Sequence, residues 1–142
     1  MEKISMPLEL EKKIMAIRKE GSACLLNKDF ISLELLMHEA WDQIPEPKIN
    51  YSESFHVSHL MCESLLRQEK LNEAQKWVSI HKSAATFRID SGERIFMEAR
   101  LEYEKKNFAR AKELFRNADK MSKGRLFQNP DYADYLKFYK QK

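Results

Sequence analysis

Apolar residues recur every three or four positions along almost the whole chain, and this period constrains the fold more than any other feature. Ile14, Ile17, Gly21, Cys24 and Leu25 share one side of a helix expected over Leu8–Leu26. Phe30, Leu33, Leu36, Met37, Ala40 and Trp41 form the face of a second helix. Phe55, Ser58, Met61, Cys62, Leu65 and Leu66 form that of a third, and Leu71, Ala74, Trp77, Val78 and His81 that of a fourth. A fifth carries Ile95, Phe96, Ala99, Leu101 and Tyr103, and a sixth Phe108, Ala111, Leu114, Phe115 and Ala118. Tyr132, Tyr135, Leu136 and Tyr139 mark a short last one. With 3 Gly and 4 Pro in 142 residues, the turns of a β-sandwich or barrel are not supplied, and neither is a Gly-rich phosphate loop. The hydrophobic fraction, 43%, is too high for a disordered chain.

The breaks between these faces are short. Asp29 is placed to cap the second helix, and Pro45 and Pro47 end it. Asn50 and Glu53 have capping-box spacing before the third helix, as do Asp90 and Glu93 before the fifth. Gly124 suits a left-handed stop, and Asp131 is placed to cap the last helix. The expectation is an all-α chain in one domain, residues 1–142. It comprises three antiparallel helical hairpins, at about 8–45, 50–85 and 90–122, plus a C-terminal helix at about 131–140.

The second helix of each pair opens alike: Asp29-Phe30, Lys70-Leu71 and Asn107-Phe108, followed three residues on by Leu33, Ala74 and Ala111. Twelve residues before those positions stand Gly21, Cys62 and Ala99, and seven after them Ala40, His81 and Ala118. Pro45 follows in the first pair. This register resembles the tetratricopeptide repeat, which implies a solenoid capped by the C-terminal helix. The pattern departs from the family at Leu33 and His81, which replace small residues. It departs again at Ile17, Ser58 and Ile95, where the signature Trp is missing, and its spacing is 41 and then 37 residues.

A second likeness is local. Tyr51-Ser52-Glu53-Ser54-Phe55-His56, Arg88 to Arg94, Lys123-Gly124-Arg125 and Tyr135 to Tyr139 resemble small bacterial tetratricopeptide-like proteins found beside polymorphic and contact-dependent growth-inhibition toxins. The resemblance implies an immunity protein that binds its cognate toxin and occludes the active site or a required surface. The net charge of +3 is not what an inhibitor of a basic nuclease usually carries. Two other classes stay open. One is a scaffold or regulator holding a peptide in the groove, with Arg18, Arg67 and Arg100 clamping acidic groups. The other is an RNA binder using the basic C-terminal third.

In tetratricopeptide stacks the first helices line the concave groove. Carried onto this chain, the partner-binding positions are Arg18 and Ser22 (with Leu25), then His56, His59, Glu63 and Arg67, then Glu93, Phe96, Arg100 and Tyr103. His56, His59 and Glu63 share a helix face and are of zinc-ligand type, but they lack the His-Glu-x-x-His arrangement, so no metal and no cofactor are expected. Cys24, Cys62 and His81 fall on packing positions, so no catalytic residue is assigned.

Charge is uneven: −2 over residues 1–50, zero over 51–100 and +5 over 101–142. Lys137-Phe138-Tyr139-Lys140 interleaves aromatic and basic groups, yet its reading is a packed cap, and nucleic acid is not the expected partner. Without a signal peptide or a membrane-length apolar run, the expected setting is the cytoplasm.

Overall fold

In the computed structural model, which describes residues 1–141, the apolar periodicity becomes seven α-helices with no strand among the described residues. They are α1 (Leu8–Leu26), α2 (Phe30–Gln43), α3 (Ser52–Arg67), α4 (Leu71–Ser83), α5 (Glu93–Glu104), α6 (Phe108–Ser122) and α7 (Ala133–Lys140). Three 3-10 turns, Lys48–Asn50, Arg125–Gln128 and Pro130–Tyr132, join them. No described helix is long and apolar enough to cross a membrane.

Three connectors share one backbone solution. Lys28, Glu69 and Lys106 all lie in the left-handed region, at φ 58°, 60° and 66°. Each donates to the carbonyl three residues back, and the next residue donates five back: Asp29 to Cys24 (2.8 Å), Lys70 to Leu65 (3.0 Å) and Asn107 to Glu102 (2.9 Å). This paired pattern satisfies the last carbonyls of α1, α3 and α5 and turns the chain sharply into the next helix. A side chain in that region costs about 1–2 kcal/mol. Lys28→Gly, Glu69→Gly and Lys106→Gly, all at exposed sites, are each expected to stabilise by about 0.5 kcal/mol after the entropy of the freer unfolded chain is deducted. The denaturation midpoint should rise in all three, and a fall would mean that the side chains hold these corners more strongly than φ strains them.

The other helix ends are capped in different ways. Asp29 accepts from the Ser32 N–H at 3.2 Å, as a cap should. Asn50 caps nothing: it lies in the 3-10 turn and donates to the Glu2 carbonyl, while Tyr51 precedes α3 without a side-chain cap bond. Before α5, Asp90 accepts from the Gly92 N–H (2.9 Å) and Glu93 reaches back to the Ser91 N–H (3.0 Å). Gly92 takes φ 101° there, and an added Cβ would stand 2.9 Å from the Ala118 carbonyl. At the C-terminal end Asn129 caps the 3-10 turn Pro130–Tyr132, accepting from the Asp131 N–H, while Tyr132 precedes α7 without a side-chain cap bond.

The chain divides into two compact units, Met1–Arg88 and the part from Ile89 onward. In the first, α1 packs on α2, α2 on α3 and α3 on α4, and α3 also touches α1. Enclosed by these neighbours, α3 buries ten of its 16 residues. Ser54, Ser58 and Ser64 tolerate this because each hydroxyl donates to the carbonyl three residues back. Trp41 of α2 and Trp77 of α4 meet edge to face at 5.1 Å.

In the second unit α5 pairs with α6, and α7 with its two 3-10 turns folds over them. Its core is aromatic. Phe115 is fully buried and lies within 5.1–6.5 Å of the rings of Phe96, Phe127, Tyr135, Phe138 and Tyr139. The Tyr139 hydroxyl donates to Asp119.

In both units the nine positions of the repeat register are buried: Gly21, Leu33 and Ala40; Cys62, Ala74 and His81; Ala99, Ala111 and Ala118. His81 fits an alanine position by stacking on Phe55 at 4.7 Å.

Candidate functional site

In the N-terminal unit, polar groups from three elements converge beside a buried aromatic. Ala84 and Ala85 are fully buried, and the Ala85 N–H donates to the Ile49 carbonyl at 2.8 Å. This ties down the segment after α4 and fixes the exit of Arg88, whose own N–H returns to the Ala85 carbonyl. The Arg88 guanidinium then lies over the Phe55 ring, 4.5 Å from its centre, and Nη1 donates to Nε2 of His56 at 3.1 Å. An arginine has no acceptor, so His56 is held as the neutral tautomer with its proton on Nδ1.

Burial pushes the His56 imidazole down to about 4, helped by the positive fields of Arg18, Arg88 and His59. Burial also pulls the Arg18 guanidinium of α1 below its usual range; Glu53 opposes that and Arg88 adds to it. Arg18, Glu53, His56 and Arg88 are therefore one electrostatic group, with two guanidinium cations, one carboxylate and a neutral imidazole. All four are partly exposed. The Nε atoms of Arg18 and Arg88 are buried without a hydrogen-bond partner.

The sign of the pH dependence follows. His56 binds its proton more weakly folded than unfolded, so its contribution is complete above about 6.5 and is lost as pH falls toward about 4. Solvent screening at this part-exposed site holds the loss to the order of 1–2 kcal/mol. His56→Gln should flatten the stability profile between those two pH values in urea titrations. An unchanged slope would assign the acid sensitivity elsewhere.

The groove positions expected from the sequence separate in the structure. The positive field of Arg18 acts on His56, while Ser22 is exposed on α1. Along α3, Glu63 is fully buried; Arg67 Nε reaches it at 3.2 Å and His59 Nε2 stands 4.0 Å away. Arg67 also lies over Phe30 of α2. In the second unit, Glu93 serves the start of α5 and Phe96 belongs to the aromatic core. Arg100 is buried, its guanidinium 5.2–6.0 Å from the rings of Tyr132, Tyr135 and Phe96. Tyr103 packs against Phe108, Tyr135 and Phe138. Phe96 and Arg100 are thus core groups of their unit, not open recognition groups. Arg88, brought to His56 by the chain after α4, lies outside every helix and has no periodic signal to mark it.

Among the described residues, no three His, Cys, Asp or Glu side chains are grouped to hold a metal ion. Cys62 is buried and Cys24 partly buried, and neither is in a disulfide. The second unit has an open recess of ≈ 500 Å³ lined by Ile95, Asn117, Lys120 and Met121.

Comparison with protein-family models, curated proteins and solved structures found no match.

Proposed function

We propose that the chain is a non-catalytic protein-binding module of tetratricopeptide-like build, a stack of helical hairpins closed by a C-terminal helix. The observation that carries the binding function is the apolar surface of α1 and α2. Ile31 (68% exposed) and Leu35 (65%) stand one helical turn apart on α2, and Leu8, Met15 and Leu26 (85%) line one side of α1. Large aliphatic groups left in water on adjacent helices are what a protein interface uses. The repeat-like build is supported by the burial of all nine register positions and by the three matching connectors.

In its narrower form the module neutralises a cognate bacterial toxin by occlusion, as the sequence resemblance implies. The test is coexpression with the toxin domain encoded by the adjacent gene. A 1:1 complex and restored growth are expected, and Ile31→Glu with Leu35→Glu should weaken the complex roughly 100-fold. A toxin that neither binds nor is neutralised sinks the immunity reading. A complex indifferent to both substitutions moves the interface off α2.

A further inference from the structure

We infer that Arg18, Arg88 and His56 form a subsite for a carboxylate. Three features, geometric and electrostatic, lead there. First, two guanidinium groups come from separate elements, α1 and the segment after α4, and share one electrostatic environment; each has an Nε that no protein group satisfies. Buried donors without partners are costly, and a carboxylate seated on the part-exposed guanidinium groups offsets that cost by charge. Second, the site is built before any ligand arrives. Phe55 supports one face of Arg88, the His56 ring fixes its Nη1, and the buried Ala84-Ala85 pair holds its backbone. Little of the Arg88 side-chain entropy remains to be lost on binding. Third, Glu53 selects the charge. Two cations and one carboxylate leave a local charge of about +1 beside a neutral imidazole, which matches a monoanion. A phosphate dianion would face Glu53 with a negative charge left over. Arg18, Arg88 and His56 are each partly exposed, so a small anion reaches the site from solvent.

The source of the carboxylate, an acidic side chain or the C-terminus of a protein partner, rests on the protein-binding reading; the subsite itself does not. The probe is therefore free sodium acetate, titrated into the full chain near neutral pH while the His56 ring resonances are followed by NMR. Sodium phosphate and sodium chloride at matched ionic strength are the comparison arms. Acetate should move the His56 signals to saturation in the tens of millimolar, phosphate more weakly, and chloride only through ionic strength. Arg18→Gln and Arg88→Gln should each weaken acetate roughly tenfold. Arg88→Lys, which keeps charge but loses the fork, should fall between. Glu53→Gln should tighten acetate about threefold by raising the local charge.

No His56 response beyond that of chloride overturns the subsite, as does an Arg18→Gln response equal to the parent's. Phosphate binding tighter than acetate overturns the carboxylate assignment. Should the arginine variants unfold, Glu53→Gln decides alone, since an unchanged acetate affinity there removes the basis for selection. Acetate binding in a chain that takes no protein partner would overturn the protein-binding reading and leave the subsite standing. Partner binding without an acetate response would do the reverse.

Discussion

Phe115→Ala is expected to lower the unfolding free energy by about 3–5 kcal/mol. The side chain is fully buried on the inner face of α6, stacked on Tyr135 at 5.1 Å and edge-on to Phe96 at 5.7 Å. Truncation removes the ring from its site and strips contacts from five other rings at once, which are too rigid to collapse into the space. Domains of this size have about 5–15 kcal/mol of stability in total, so the variant would stand close to unfolding. Urea midpoints with an unchanged slope measure the loss. Phe108, 45% exposed and flanking Tyr103 and Phe138, is the control; Phe108→Ala should cost about 1 kcal/mol. Equal losses at the two positions would show that the aromatic cluster does not form the core of its unit.

Gly21→Leu should destabilise by about 3 kcal/mol, and Leu33→Ala in the same chain should restore much of that. A Cβ at Gly21 would already stand 2.7 Å from Met37 Cε and 3.1 Å from Leu33 Cδ1. Leu33 and Met37 are both fully buried, so neither has solvent to retreat into. In the other two pairs the same two positions hold Cys62 with Ala74 and Ala99 with Ala111, small residues on both sides. In the first pair the glycine makes room for the leucine. Leu33→Ala alone should cost about 2–5 kcal/mol through the cavity it leaves. The two losses should therefore fail to add by about 2 kcal/mol or more in a double-mutant cycle. Additive losses would mean that the two sites do not share a packing space.

The helical part of the fold was written into the residue spacing. Leu8–Leu26 reads as a helix and is α1, and Asp29 reads as a cap and accepts the Ser32 N–H. Periodicity reports which side of a helix is inward, so the buried positions from Gly21 to Ala118 were accessible to it. It does not report which polar residue a crowded neighbour will cover. Glu63 is a charged residue at a position that looks solvated, yet it is fully buried with Arg67 reaching it. Arg100 is a cation among three rings that lie as far as 35 residues away in the chain. Asn50 has the spacing of a cap but spends its amide on Glu2, 48 residues distant. Of the candidate subsite, Arg18 and His56 were visible as exposed-type residues on first helices. Arg88 was not, because its position depends on where the segment after α4 is tied down.

The aromatic residues are sorted by unit, and this gives each unit its own optical signature. Both tryptophans of the chain, Trp41 and Trp77, belong to the N-terminal unit and touch each other. Of the five tyrosines, only Tyr51 lies there; Tyr103, Tyr132, Tyr135 and Tyr139 lie in the second unit. Selective tryptophan fluorescence therefore reports on one unit, while tyrosine near-ultraviolet dichroism is weighted toward the other. The unlabelled wild-type chain carries two clocks, and stopped-flow mixing can read from them which unit orders first.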